Sequence, residues 1–149
     1  MVFKADNLKY HQMLIPKSNI NIKDNSGIVL AQCTQVEKSK KNRKPCGVGG
    51  FLKATIKKGA IKSQTSRTIK GAPQKQRKLR GTDCLHDLAI IQTKKALRRL
   101  DGSMLRFNSN SGVLVNKTRL PIYKKVNAIV PMELKKRCSP LLSLARNVI

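Results

Sequence analysis

Arg98 and Arg99 stand side by side, one residue ahead of Asp101-Gly102. Two guanidinium forks at the base of a turn can bind phosphate oxygens bidentately, a chemistry that needs neither a base edge nor a catalytic partner. The other reactive side chains are poorly spaced for turnover. The 7 acids and the 2 histidines, His11 and His86, lie dispersed along the chain. Acid/base or nucleophilic catalysis needs paired carboxylates, or a base beside a nucleophile. Cys33, Cys46, Cys84 and Cys138 lack the C-x-x-C spacing of a zinc site and read as buried thiols of a reducing compartment. The run Gly47-Val48-Gly49-Gly50 hints at a phosphate-cradling loop. No Gly-Lys-Ser/Thr follows it, and the next segment alternates as a strand where a nucleotide loop needs a helix. The residue types therefore argue against an enzyme and require no cofactor and no metal.

Composition says what those arginines are for. Against 32 Lys+Arg stand 7 Asp+Glu, a net charge of +25, far more than internal ion pairs can neutralise. Such a surface draws its affinity from displacing counterions on a polyanion, so RNA or DNA is the leading partner. An anionic membrane fits less well: no stretch approaches the roughly 18 apolar residues of a spanning helix, and no long basic amphipathic helix is apparent. Aromatic residues make up 3% of the chain and Trp is absent, too little for a base-stacking platform. The expected mode is recognition of phosphates and shape.

The elements that must position these cations are short strands. A length of 149 residues suits one domain with a modest core. Residues 1–18 read as an N-terminal extension, because the first clean alternation is Ile20 and Ile22 against Asn21 and Lys23. Asp24-Asn25-Ser26-Gly27 supplies a turn, Ile28 to Val36 a strand, and the cationic Lys38 to Pro45 a loop. Leu52, Ala54 and Ile56 then share one strand face, with Lys53 and Thr55 on the other. From about 59 to 82 basic residues accumulate with Gly59, Gly71, Pro73 and Gly81, which predicts a flexible arm or twisted ribbon inserted in the domain. His86 to Thr93 resumes a strand. Asp101-Gly102 predicts a two-residue hairpin turn, with Leu105 and Phe107 facing inward and Met104 and Arg106 outward. Arg98 and Arg99 should sit exposed at its base. Pro131 to Arg137 and Pro140 to Arg146 each open with Pro and predict two short closing helices. The sum is a mainly β fold, a small barrel of five or six strands over 19–149.

The motifs and their order resemble a known family. Lys23-Asp24-Asn25-Ser26-Gly27, Gly47-Val48-Gly49, Ala54-Thr55-Ile56-Lys57-Lys58-Gly59, Thr93-Lys94-Lys95 with Arg98-Arg99-Leu100-Asp101-Gly102-Ser103, Arg106-Phe107, and Gly112-Val113-Leu114-Val115-Asn116 look like the universal large-subunit ribosomal protein family numbered fourteen. Thr118-Arg119, Pro131, Glu133-Leu134 and Leu142-Ser143-Leu144-Ala145 extend the likeness over roughly 19–149. The resemblance implies a five-stranded β-barrel with a projecting β-ribbon and a C-terminal region of small helices. It also implies binding to large-subunit rRNA, contact with neighbouring ribosomal proteins of families three and nineteen, and an intersubunit bridge to small-subunit rRNA. Gly50 stands where the family usually has Asp, Lys23 where it often has Ala, and Leu88 where a small residue is common. The long basic insertion on a bacterial-like ending points to an organellar member, mitochondrial in the first place and plastid in the second.

With the charge pattern, this gives Lys23, Lys53, Lys57, Lys58, Lys94, Lys95, Arg98, Arg99, Arg106 and Lys117 as candidate RNA contacts. Thr118, Arg119, Glu133 and Arg137 are candidates for a protein or intersubunit contact, since Pro131 to Arg137 mixes charges in a chain that otherwise avoids acids. The competing expectation is a free RNA chaperone or regulator on the same sort of barrel.

Overall fold

The computed structural model describes residues 14–37, 46–59 and 85–149. Expectations for the first 13 residues, the loop from Lys38 to Pro45, the basic insertion and Cys84 fall wholly or almost wholly outside these ranges.

Five strands close into a barrel: β1 (Asn19–Ile22), β2 (Ile28–Val36), β3 (Phe51–Gly59), β4 (His86–Gln92) and β7 (Ser111–Leu114), in the order β1-β2-β3-β4-β7. Neighbours pair antiparallel except at the seam, where β1 and β7 run parallel with Asn21 opposite Ser111 and Ile22 opposite Gly112. Closure removes the open strand edges that a small sheet would otherwise expose. The seam is also held by a side chain. Asp24 accepts from the Ser26 N–H at 2.9 Å through Oδ1 and from the Leu114 N–H at 2.9 Å through Oδ2. One buried carboxylate thus shapes the β1–β2 turn and ties it to β7. Beside that turn β3 stops at Gly59, whose φ is +106° and where a Cβ would lie 2.6 Å from Gly27 O. Only glycine fits there.

The core has two parts. Inside the barrel pack Ile20, Ile22, Ala31, Cys33, Leu52, Ala54, Ile56, Leu88, Ile90 and Leu114. Outside it, Ala89, Ile91, Val113 and Val115 are covered by Val126, Val130, Leu134, Cys138 and Leu141 of the C-terminal segment. Strand β4 is consequently apolar on both faces, as its unbroken run Leu88-Ala89-Ile90-Ile91 anticipates. Strands β1 to β3 alternate, keeping their outer face in solvent.

Four sequence expectations change. Leu14 to Ser18, assigned to the extension, pack on the barrel: Leu14 is fully buried and exchanges backbone bonds with Cys46, and Cys33 N–H bonds Ser18 O at 2.9 Å. The hairpin formed by β5 (Leu97–Arg98) and β6 (Met104–Leu105) turns through three residues, not two, because Arg99 N–H bonds Ser103 O and Gly102 N–H bonds Arg99 O. Gly102 at φ +85° is the left-handed residue that such a loop requires. The first closing helix is a 3-10 turn, Met132–Lys136, and the second, α1 (Ser139–Leu144), ends earlier than expected. The chain then extends as β9 (Ala145–Val148), parallel to β8 (Val126–Val130), with Ile129 opposite Asn147. A single turn after Pro140 lacks the length to sustain itself, and pairing with β8 satisfies the following backbone better.

Candidate nucleic-acid interface

The hairpin base gathers four cations. Arg98 lies opposite Met104, placing it diagonal to Arg106 across the two strands. Arg106 Nε donates to Lys94 O at 3.1 Å, and the Lys94 N–H is fixed by Asn110 Oδ1 at 2.9 Å. Lys94, Arg98 and Arg106 are exposed and Lys95 half-buried, so this rim is cationic and accessible. Asp101 at the hairpin tip forms no ion pair with these four cations. The Ser103 hydroxyl at 2.7 Å and the Ser103 N–H at 2.9 Å bind its Oδ1 and hold the carboxyl below its ordinary pKa.

Arg99 behaves differently from its neighbour. Its Nε lies 2.6 Å from Glu133 Oε1 and its Nη2 2.9 Å from Ile149 O. The hydrogen bond to Glu133 raises its pKa further. Arg99, expected as an open phosphate contact, is half-buried, and its guanidinium joins the β5–β6 hairpin to the 3-10 turn and to the chain beyond β9. Glu133, expected on a contact surface, is committed to the same link.

The remaining candidates spread over the barrel. Lys53 is exposed on the outer face of β3, opposite Asp87 of β4, and Lys57 and Lys58 are exposed near the end of β3. Lys23 is half-buried, its backbone bound to Gly112 O and to the Asn127 N–H. Lys117 and Thr118 are exposed in a turn closed by Asn116 N–H to Leu120 O at 2.8 Å. In that turn Arg119 has φ +62°, donates from Nη2 to Glu37 Oε1 at 3.2 Å, and stacks 4.8 Å above the Phe51 ring. A left-handed side chain other than glycine costs about 1–2 kcal/mol, which the ion pair and the stacking offset. Arg137 is exposed, its side chain against Gly49.

Sequence reasoning missed three features. Lys17 adopts φ +74°, a turn signalled by the Pro16 before it. Glu37 and Phe51 hold Arg119 through contacts distant in sequence, which no local pattern reveals. Leu100, Met104 and Met132 are 86%, 69% and 62% exposed, an apolar set around the Arg99–Glu133 link that composition alone does not locate.

No group of three or more potential metal ligands occurs among the described residues. Cys33, Cys46 and Cys138 are free and buried, and burial pushes the Cys46 thiol up to about 12, far from nucleophilic. The geometry defines a small cationic barrel that offers exposed guanidinium and ammonium groups.

Comparison with known proteins gives this class its family. The family described as Ribosomal protein L14p/L23e matches residues 13–149, beginning one residue before the buried Leu14. The chain is 33% identical over 134 residues to the large ribosomal subunit protein uL14m of Neurospora crassa, covering 89% of this chain and 97% of that protein. The chain belongs to the ribosomal L14p/L23e family. It is a ribosomal structural protein of the large subunit and not an enzyme, and its likeness to uL14m assigns it to the mitochondrion.

Proposed function

We propose that the protein binds large-subunit rRNA through two cationic surfaces, the hairpin base and the outer end of β3. We also propose that surfaces bearing Leu100, Met104 and Met132, and Thr118, Arg119 and Arg137, meet neighbouring ribosomal proteins, of families three and nineteen, and small-subunit rRNA at a bridge. One observation carries the rRNA reading. Among the described residues two ion pairs form, Arg99–Glu133 and Arg119–Glu37, and neither engages Lys53, Lys57, Lys94, Arg98 or Arg106. Those five cations keep their charge available for phosphates. For the second surface the support is the exposed apolar set beside mixed charge, a composition suited to protein contact.

The test is sedimentation of the endogenous protein. It should remain stoichiometric with mitochondrial large subunits through a high-salt wash. Release into the soluble pool would instead favour a free RNA chaperone.

A further inference from the structure

The barrel is clothed on one side and bare on the other. The C-terminal segment covers β4 and β7 and reaches Phe51 at the start of β3, where Arg119 also stacks, while beyond Phe51 the outward side chains Lys53 and Lys57 of β3 are exposed. On β3, Leu52, Ala54 and Ile56 point inward, so Lys53, Thr55 and Lys57 point outward. Asn19 pairs with Gln32, and Gln32 with Thr55, which sets an outward row of amide, amide and hydroxyl across three strands. Lysines flank Thr55 on its own strand, each about 6.7 Å away along β3. Asp87 is the acid in register with this face, across from Lys53 at its β4 edge, and no ion pair forms between them.

Lys17 completes the set. It occupies the third position of a turn in which Ser18 N–H bonds Ile15 O at 3.1 Å and Ile15 N–H bonds Ser18 Oγ at 3.2 Å. Pro16 before it and φ +74° make this a type II turn, whose third position favours glycine. The backbone there is pinned: Lys17 N–H donates to Cys33 O at 2.7 Å, and Gln32 Nε2 donates to Lys17 O at 3.2 Å. Arg119, the other left-handed residue that is not glycine among those described, is repaid by Glu37 and Phe51. The Lys17 ammonium has no partner among the described residues. Strain retained at an exposed cation without internal compensation is expected where the side chain acts on something outside the fold.

We infer that the RNA surface at the outer end of β3 extends across β2 and β1 as one RNA-backbone site, with Lys17, Lys53 and Lys57 taking separate phosphates and Asn19, the Oε1 of Gln32 and Thr55 reading ribose 2′-hydroxyls. The inference rests on the rRNA-binding reading and adds to it a place and a preference for RNA over DNA. Hydroxyl and amide groups between cations suit a ligand that carries a donor and acceptor on each sugar, which DNA lacks.

Full-length protein is titrated over a range of salt with large-subunit rRNA, and with short RNA and DNA duplexes of one sequence. Lys17→Gly should melt no lower than the parent, since the turn is relieved, yet bind rRNA more weakly. The triple variant Lys17→Gly, Lys53→Gln, Lys57→Gln should lower the slope of log affinity against log salt by about 2. A charge-matched control, Lys124, Lys125 and Lys135 each to Gln, should lose less than half as much. Gln32→Ala with Thr55→Val should narrow the preference for the RNA duplex. Equal losses in the triple variant and its control, or an unchanged RNA preference, would overturn this site while leaving rRNA binding to other surfaces. A flat salt dependence of the unmodified protein would instead remove the broader reading, and this site with it.

Discussion

At the residue scale, the tightest packing in the fold surrounds a glycine. A Cβ at Gly50 would run into Cys46 Sγ. The buried thiol and the missing side chain are therefore one feature. Gly50→Ala should destabilise the fold by about 1–3 kcal/mol, the range for overpacking a filled site. Cys46→Gly should recover part of that loss in the double variant, as a thermodynamic cycle by denaturant unfolding would show. His86 gives a second prediction. Its Nε2 is buried without a hydrogen-bond partner, and burial lowers its pKa below 6.5 despite the opposing pull of Asp87. Below that pH the unfolded chain binds a proton that the folded protein resists, so this contribution is present above the unfolded pKa and is lost as pH falls. Stability should decline as pH drops from about 7.5 to 5.5, and His86→Phe should remove that component of the decline in denaturant titrations at each pH.

At the element scale, the two adjacent arginines have separate duties. Arg98→Ala should weaken RNA binding and leave the melting temperature almost unchanged, because nothing within the described fold holds its guanidinium. Arg99→Ala should loosen the hairpin from the C-terminal chain, and faster amide exchange at Met132 and Ile149 would register it, since the backbone N–H groups of both lie in that junction. Equal exchange in both variants would contradict the division. The sequence made the barrel legible because Ile20 and Ile22, or Leu52, Ala54 and Ile56, alternate clearly and because β4 is an apolar run. It could not separate Arg98 from Arg99, since the partner that distinguishes them, Glu133, is 34 positions away. Nor could it show β9: Ala145-Arg146-Asn147-Val148 has no two-residue alternation, and its conformation comes from pairing with β8. Leu14 was hidden for a similar reason: the short run Met13-Leu14-Ile15 has no alternation, and the bridge that anchors Leu14 is to the distant Cys46.

At the scale of the whole molecule, charge and core are kept apart. The interior thiols Cys33, Cys46 and Cys138 all have raised pKa values from burial. They should resist alkylation at neutral pH in the native protein and react after unfolding, a contrast that mass spectrometry of the labelled peptides would resolve. Native-state labelling of Cys33 and Cys46 would mean that the barrel opens readily. A net charge of +25 on a small chain opposes compaction through self-repulsion. Stability should therefore rise when polyanions or salt screen the surface, the opposite of the weakening that salt imposes on RNA affinity.

The seam between β1 and β7 has a consequence for how the molecule comes into being. Asp24 and the Leu114 N–H that it binds are separated by 90 positions. During synthesis β1, β2 and β3 emerge first and can pair, yet β1 keeps an unsatisfied edge until the chain has grown past Leu114. Long-range closure of this kind places folding among the slow, non-local class, in roughly milliseconds to seconds. Throughout that interval the nascent chain carries an open strand edge beside a surplus of positive charge. The first exposes it to association with other chains, and the second repels copies of itself. The charge that serves the assembled particle thus also acts as a solubility device for the half-made protein.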